Sequence, residues 1–467
     1  MRKVFLFLLV CSSFCQAQTL DMLTAADLPL LDITTTDSIE PTADIAYPPE
    51  GQAITITNNK YITGRMVVTL KGDTLLDTGT WQKDIAGMKI KRRGNSTGAN
   101  LLQHPYKLKL SVANDLLQRT DTLCKHKEWI LMSMYTWNTR MNNSESNTLN
   151  LLGTTVCKIM GQSWTPDFEF VNMRLNGKYR GMYYLMEPVS RGDRRIDIKK
   201  SGFIVEHDFF WWNEDRYFRT DRDTPNNAFT YKYPDQDKVT PEREAGIQRF
   251  INTCEKAIYQ QTDRLEKYVD IESFARWLLI HDLLATDDVA GANRFLVRHD
   301  SLTSPLQMGP VWDFDSAFRS NLNCSQQRFY NDFYFPQLLQ LPVFKAKYDS
   351  LWNNVRTELP ERLTEALDAA ERRWGNCFDN NMKLHRQLFK YEGQNSFSDQ
   401  IAELKEKILA HIDSIDILLN HYQPTRIEPA TTPITIYSQP NYQLNGKRIN
   451  RPKKGIYIQN RKKYVIH

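Results

Sequence analysis

Apolar and polar residues alternate in four short segments near the start of the chain, and Asn, Gly and Asp separate these segments. A period of two is typical of β-strands, because successive side chains point to opposite faces and only one face is buried. Asn, Gly and Asp favour the turns that join such strands. The pattern predicts a small antiparallel sheet whose strands cover 54–57, 61–70, 88–91 and 106–110.

A β-hairpin is expected next at 168–187, because two apolar runs flank the pair Asn176-Gly177. Asn-Gly is the strongest two-residue signal for a hairpin, since both positions of the favoured turn require a positive φ. The other elements expected in this half are strands at 129–135 and 203–207 and a helix at 139–157.

Beyond residue 240 the apolar residues recur at intervals of three and four, which is typical of amphipathic helices. His281 falls on the apolar face of one such segment, so we expect it in the core or at the helix end. The expected helices cover 241–260, 263–267, 271–285, 342–352, 359–374 and 401–419.

The N-terminus has the parts of a secretory signal peptide: Arg2 and Lys3, an apolar run at 4–10, and a small-residue site that ends at Ala17. We therefore expect an exported protein that is periplasmic, associated with the outer membrane or extracellular. The apolar run is shorter than the roughly 18 residues that a membrane-spanning helix needs. No other segment is expected to span a bilayer.

Changes in pattern along the 467 residues predict a chain of several parts, with a β-rich half before a helical half. The fold class is therefore expected to be α+β. The parts are a signal peptide at 1–17, a mostly flexible lead-in at 18–47, a β-rich lobe at 48–190, a mainly helical lobe at 191–423, and a linker with a short β tail at 424–467.

Composition excludes some functions. Apolar residues make up 41% and charged residues 25%, which is ordinary for a soluble globular protein. The net charge of +5 is too small to indicate a nucleic-acid partner. Of seven cysteines, Cys11 and Cys15 lie in the signal peptide, and the others are far apart without a CxxC pair. We therefore expect no zinc site and mostly free thiols.

Oxygen-bearing side chains are concentrated between residues 285 and 318, at the ends of an expected helix and of two expected strands, 294–298 and 306–312. Loops at the ends of neighbouring strands bring several oxygens to one place, which suits a hard cation such as Mg²⁺. Ordinary turns at the ends of these elements would have a similar composition. The residues are Asp287, Asp288, Asn293, Asp313 and Asp315.

The spacing of these residues matches the helical lobe of a protein kinase. There, a catalytic loop with Asp and Asn precedes a hairpin, and a metal-binding Asp follows it. Asp288 and Asn293 are spaced D-x-x-x-x-N, and a hairpin at 294–312 precedes Asp313. In such a site Asp288 would orient the acceptor hydroxyl and accept its proton. Asn293 and Asp313 would hold Mg²⁺, with Asp315 as a second ligand or a support.

The segment 91–100 reads K-R-R-G-N-S-T-G-A-N and contains two glycines, small hydroxyls and two arginines. Backbone N–H groups in such a loop could hold an anion such as phosphate. A plain hairpin loop is the alternative interpretation. The segment is neither a Walker loop nor a G-x-G-x-x-G motif.

Several motifs resemble the CotH (spore coat protein H) kinase-like family, and they occur in the family's order. The most specific are W-D-F-D at 312–315 and N-G-x-Y-x-G-x-Y at 176–183. The resemblance covers residues 50–330. The matching segments are 88–97, 105–110, 139–143, 176–187, 288–298 and 309–318.

The resemblance implies a bilobal atypical protein-kinase-like fold with a β-rich N-lobe and a mainly helical C-lobe. It implies transfer of the γ-phosphate of ATP, with Mg²⁺, to Ser or Thr hydroxyls of a protein substrate. Carried over by motif, Asp288 is the catalytic-loop Asp, Asp313 is the metal Asp, and Lys107 is the lysine that binds the nucleotide phosphates.

The resemblance also implies residues around the nucleotide. Gly94, Asn95 and Ser96 would form the loop beside the phosphates. Glu145 is the expected acidic partner of Lys107, and Glu187 is a further candidate for nucleotide binding.

Two other functions remain open at this point. A non-catalytic surface binding or assembly protein on a kinase-like scaffold is favoured by the differences between 91–104 and the family's usual glycine loop. A carbohydrate-active hydrolase could use Asp313 and Asp315 as paired carboxylates, but it leaves the loop at 288–293 without a role. The aromatic segment at 208–220 is either a packed insertion or a substrate platform.

Overall fold

A computed structural model gives the arrangement of most of the chain, in two units that cover residues 1–421 and 422–467. Asp287, Asp288, Glu145 and the motif at 139–143 lie outside the described residues. The described residues are 27–48, 53–135, 148–222, 224, 227–286, 292–318, 330, 332–393, 395–421, 441–443, 448–449, 455–459 and 462–466.

The α+β prediction is confirmed, because strands dominate the first part of the chain and helices the later part. The strands of the first part are β1 (Leu30–Thr35), β2 (Asp44–Ala46), β3 (Thr55–Thr57), β4 (Ile62–Leu70), β5 (Asp73–Asp77), β6 (Met88–Arg92), β7 (Tyr106–Asn114), β8 (His126–Ser133), β9 (Phe168–Leu175) and β10 (Lys178–Met186).

Eight of these strands form one sheet in the order β1-β9-β10-β8-β7-β6-β4-β5, and β2 pairs with β3 separately. Strand β1 pairs with β9 on one side and with β4 on the other, so the sheet closes on itself. Alternate residues of the strands fill its interior, as the period of two predicted. Fully buried examples are Ile33, Met66, Leu108, Trp129 and Met173.

Strand β1 corrects the expectation for the lead-in at 18–47. Residues Leu30–Thr35 instead form a strand that pairs with two others, and Leu31 and Ile33 are fully buried. The parallel pairing sets Leu31 opposite Met173, more than 140 residues away. A pairing with so distant a strand leaves no periodicity that could be recognised in a run as short as L-L-D-I-T-T. The hydrophobic pattern therefore did not predict this strand.

A second, five-stranded sheet follows, in the order β12-β13-β11-β14-β15. Its strands are β11 (Phe203–His207), β12 (Tyr217–Arg219), β13 (Ala228–Tyr233), β14 (Arg294–Arg298) and β15 (Leu306–Met308). The strand expected at 306–312 ends early, because Gly309 has a φ of +129° and Pro310 cannot donate to the ladder. Asn293 directly precedes β14, and Asp313 follows the end of β15 by five residues.

The helices expected beyond residue 240 are confirmed, and the longest extends beyond its prediction to Phe389. Of the helix expected at 139–157, the structure describes Leu149–Ile159, and residues 139–147 lie outside the described residues. His281 is fully buried and its Nδ1 lies 2.6 Å from the Thr286 hydroxyl, as expected for a core residue at a helix end. The helices are α1 (Ser96–Asn100), α2 (Leu149–Ile159), α3 (Pro241–Tyr259), α4 (Leu265–Tyr268), α5 (Ile271–Leu284), α6 (Phe335–Leu338), α7 (Pro342–Val355), α8 (Leu359–Phe389) and α9 (Phe397–His421).

Within the described residues, no helix has the length and apolar character that crossing a membrane requires. Cysteines in this part of the chain are free thiols, namely Cys124, Cys157, Cys254 and Cys377. The second unit contains a four-stranded antiparallel sheet of β16 (Asn441–Gln443), β17 (Arg448–Ile449), β18 (Gly455–Gln459) and β19 (Lys462–Ile466).

Candidate functional site

A cleft of about 420 Å³ brings together two parts of the chain that are about 200 residues apart. One wall is the loop after β6, and the other is formed by the residues that flank the β14–β15 hairpin. Six of the individually predicted site residues line this cleft. They are Gly94, Asn95 and Ser96 on the first wall and Asn293, Asp313 and Asp315 on the second.

Asn293 and Asp313 are in direct contact. The Asn293 side-chain amide donates a hydrogen bond to Asp313 Oδ2 at 3.1 Å. Both residues have a positive φ, +59° for Asn293 and +68° for Asp313. Asn and Asp tolerate this left-handed region better than most residues. The two turns therefore aim their side chains at each other across the base of the hairpin.

Glu206 supports this turn from the neighbouring strand β11. The Asn293 backbone N–H donates to Glu206 Oε1 at 2.9 Å, and Lys232 Nζ lies 2.7 Å from Glu206 Oε2. Only 6% of Glu206 is exposed. Sequence reasoning did not single out either residue. The one available signal was a single acid within the apolar run F-I-V-E-H at 203–207.

The first wall begins with a sharp turn at Gly94, whose φ is +96°. A Cβ at this position would lie 2.7 Å from Thr97 Oγ1, so the turn requires glycine. Asn95 is tied to β3, because the Thr55 hydroxyl donates to Asn95 Oδ1 at 3.0 Å. The loop therefore has a fixed conformation where it faces the acidic wall.

Arg93 adds a positive charge to the same wall, and its Nη1 lies 2.8 Å from Met132 Sδ. Burial lowers the pKa of its guanidinium, while the nearby carboxylates of Asp313 and Glu206 act in the opposite direction. An arginine stays protonated in proteins under such conditions. The cleft thus has a cation on one wall and carboxylates on the other.

Lys107 is not among the described residues that line the cleft. Its Nζ lies 2.9 Å from Glu128 Oε2, on the next strand of the sheet. Although burial raises the pKa of the Glu128 carboxyl, Lys107 and Lys109 lower it to about 2. The expected partner Glu145 lies outside the described residues.

Glu187 also lies away from the cleft lining. It is almost fully buried, and its carboxylate accepts hydrogen bonds from Arg119 Nη2 at 2.9 Å and from the Asp167 backbone N–H at 3.1 Å. These contacts fix the end of β10 against the start of β9. In the described structure Glu187 therefore stabilises the packing between these two strands.

The aromatic segment at 208–220 contributes two rings to the cleft. Phe209 and Phe210 line it, and the Phe210 N–H donates to the buried Asp208 carboxylate at 2.7 Å. The segment continues into β12, which pairs with β13. It is therefore a folded insertion that also forms part of the site.

The donor atoms of the cleft fit a hard cation. Asn293, Asp313 and Asp315 offer oxygen ligands alone, which Mg²⁺ prefers over the nitrogen and sulfur ligands that zinc selects. The described residues contain no cluster of three or more His, Cys, Asp or Glu that could hold a metal. Mg²⁺ commonly uses one or two carboxylates and takes its other ligands from water and substrate phosphates.

Comparison with protein families gives an extensive match. A protein-family model described as CotH kinase protein matches residues 90–410, which is more than half of the chain. No match was found among curated proteins. A solved complex of HipA, HipB and operator DNA from a Shewanella oneidensis MR-1 toxin–antitoxin system has a TM-score of 0.32 and 13% identity. That match covers 64% of this chain and 62% of the other.

Proposed function

Because the chain belongs to the CotH kinase protein family, and is therefore a kinase-like protein, we propose that it is an active atypical protein kinase. It transfers the γ-phosphate of ATP, with Mg²⁺, to Ser or Thr hydroxyls of a protein substrate. The observation that carries the proposal is the contact between Asn293 and Asp313 in a cleft whose opposite wall is the Gly94 loop. The closed sheet would act as the β-rich lobe and the later helices as the helical lobe.

In this reaction the protein contributes mainly position and charge. Asn293 and Asp313 would hold Mg²⁺, with Asp315 as a second ligand or a support. The bound metal neutralises negative charge on the phosphates. Asp288, which lies outside the described residues, would orient the acceptor hydroxyl and accept its proton.

The opposite wall would hold the phosphates. The backbone of this loop, at Gly94, Asn95 and Ser96, would approach the phosphates closely, because Gly94 has no side chain to block the approach. Arg93 would add a positive charge beside them, since its guanidinium shares the cleft with Asp313. Lys107 remains a proposed phosphate ligand, and to act as one it would have to leave Glu128.

We further propose that the signal peptide at 1–17 directs export to the periplasm, the outer membrane or the exterior. The substrate would then be a protein of the cell envelope or its surroundings. Detection of the full-length chain in the cytosolic fraction alone, with 1–17 still attached, would contradict this part of the proposal.

Transfer of label from γ-labelled ATP tests the enzymatic proposal. Wild-type protein with Mg²⁺ is expected to label itself or an envelope protein, and Asp313→Asn is expected to lose at least 100-fold in rate, within the range for charge stabilisation at an active site. Asp349→Asn is the matched control, because Asp349 pairs with Lys345 on α7. No label with wild type, or equal label with Asp313→Asn, would contradict the proposal.

The alternative is a non-catalytic binding protein on the same scaffold, and the ion pair of Lys107 with Glu128 favours it. Thermal unfolding with ATP and Mg²⁺ distinguishes the two. A ligand at 100 times its Kd adds about 2.7 kcal/mol to the free energy of unfolding. An unchanged melting temperature at millimolar ATP would support the non-catalytic alternative.

A further inference from the structure

Glu206 connects the cleft to the sheet beneath it. Its two carboxylate oxygens have different partners, because Oε1 accepts from the Asn293 backbone N–H at 2.9 Å and Oε2 lies 2.7 Å from Lys232 Nζ. Glu206 is on β11, the central strand of its sheet, between β13 with Lys232 and β14. One carboxylate thus ties the turn before β14 to a strand on the far side of β11.

The Lys232 ammonium is the second part of this connection. Burial lowers its pKa, but Glu206, Asp208 and Glu214 together raise it by more, so the net pKa lies above the ordinary value. Asp208 is itself fixed, since it accepts from the Thr230 hydroxyl at 2.8 Å and from the Phe210 N–H at 2.7 Å. Because Glu206 contacts the Asn293 N–H with one oxygen and Lys232 with the other, rotation of its carboxylate would break both contacts.

Stability alone gives a weak reason for this arrangement. Removing two charges from water is expensive, and well-packed apolar residues often replace a buried ion pair without loss of stability. The turn that Glu206 holds also has a backbone conformation that few residues other than glycine adopt, because Asn293 has a φ of +59°. Such a conformation persists where the surrounding contacts hold it.

We propose that Glu206, held by Lys232, is a positioning residue for the divalent cation. By accepting the Asn293 N–H, it fixes the turn that presents the Asn293 amide and the Asp313 carboxylate to the metal. This inference rests on the proposed function, because it concerns the same metal site. Partners that orient metal ligands typically contribute 10- to 100-fold to metal affinity.

Binding of Mn²⁺ tests the proposal without an activity assay. It is followed by electron paramagnetic resonance of the free ion, in solutions with and without protein at the same ATP concentration, because ATP itself binds Mn²⁺. Glu206→Ala is expected to raise the Kd for Mn²⁺ roughly 10- to 100-fold. Glu206→Gln is expected to raise it less, because its amide oxygen still accepts from the Asn293 N–H. Lys232→Met is expected to raise it too, because the carboxylate then loses its second anchor.

Glu255→Gln is the matched control. Glu255 is a similarly buried acid on α3, only 4% exposed, and its carboxylate accepts from the Tyr334 hydroxyl at 2.8 Å. Its replacement is expected to lower stability and to leave the Kd for Mn²⁺ unchanged. An equal loss of Mn²⁺ affinity in this control would overturn the proposal, since general destabilisation would then explain the result.

The remaining outcomes separate the inference from the proposed function. Wild-type affinity for Mn²⁺ in folded Glu206→Ala would overturn the positioning role alone. Should Glu206→Ala show no cooperative unfolding transition, wild-type affinity in both Glu206→Gln and Lys232→Met would overturn it instead. Absence of Mn²⁺ binding to the wild-type protein, with ATP present, would overturn the proposed metal-dependent function before any variant is compared.

Discussion

The Lys107 ammonium lies 2.9 Å from the Glu128 carboxylate, on the outer face of the closed sheet. The neighbouring residues Tyr106 and Leu108 are buried in its interior, and successive side chains of a strand point to opposite faces. The position of Lys107 is thus set by the alternation along β7. Its partner comes from the adjacent strand β8.

Arg93 and Lys107 differ in their position relative to the cleft. Arg93 lines the cleft beside Asp313, whereas Lys107 is paired outside the described lining, so Arg93→Met is expected to weaken ATP binding more than Lys107→Met. A hydrogen bond to a charged group contributes about 1.5–3 kcal/mol, which corresponds to a roughly 10- to 100-fold higher Kd for ATP. Isothermal titration calorimetry with ATP and Mg²⁺ measures the Kd for ATP of both variants.

Lys109→Met is the control for this comparison, because Lys109 also pairs with Glu128, at 3.2 Å, and is more exposed than Lys107. It is expected to bind ATP as the wild type does. A loss in Lys107→Met that equals or exceeds the loss in Arg93→Met would favour the role that the family resemblance implies for Lys107.

Part of this site could be predicted from the sequence, because motif spacing determines it. Asn293 and Asp313 flank a hairpin, and a hairpin returns its two ends to the same place whatever surrounds it. The Gly94 loop was found for a similar reason, since its glycine marks a turn with positive φ. That these two loops face each other followed only from the resemblance to a kinase-like family.

Other features depend on pairings that no local pattern contains. In the sequence, Glu206 is one polar residue in an expected core strand. Its contact with Asn293 follows from the register that sets His207 opposite Arg294. The pairing of Lys107 with Glu128 depends in the same way on the register of β7 and β8. Strand β1 was missed because both of its partners are distant in sequence.

Gly94→Ala is expected to affect both stability and ATP binding. A left-handed alanine costs about 1–2 kcal/mol, and its Cβ would lie 2.7 Å from Thr97 Oγ1. Gly72→Ala is the matched control, because Gly72 has a φ of +90° in the turn between β4 and β5 and its Cβ would meet nothing within 4 Å. Urea unfolding and ATP titration measure the two effects.

Both glycine variants should lose stability, with the larger loss in Gly94→Ala, and only Gly94→Ala should bind ATP more weakly. An unchanged ATP affinity in Gly94→Ala would argue against contact between this loop and the nucleotide.

Gln103→Ala is expected to destabilise the protein by about 2–4 kcal/mol, because it removes the partner of several buried backbone groups. Gln103 is 1% exposed, its Oε1 accepts from the N–H groups of Met134 and Tyr135 at 2.8 and 3.0 Å, and its Nε2 donates to the Met182 carbonyl at 2.7 Å. The exposed Gln340 provides a control, with an expected change within about 0.5 kcal/mol. Urea unfolding that gives equal changes for the two alanine variants would contradict this role.

His385 is expected to make the protein less stable in acid. It lies on α8, fully buried, and its Nδ1 accepts a hydrogen bond from the Met182 N–H on β10 at 3.1 Å. Burial lowers its pKa to about 3, whereas an unfolded histidine has a pKa of about 6.5. As the pH falls below about 6.5, the unfolded chain therefore binds a proton that the folded protein excludes.

The stability that this histidine contributes is thus fully present above pH 6.5 and is lost as the pH falls towards 3. The loss from this group is about 1.4 kcal/mol per pH unit. His385→Asn, which retains an acceptor but does not titrate, should show a shallower fall in the free energy of unfolding between pH 6 and pH 4. Urea unfolding at several pH values measures the slope of the free energy of unfolding against pH for the wild type and for His385→Asn. The two proteins share all other titratable groups. Parallel slopes would therefore mean that the buried imidazole does not exclude the proton.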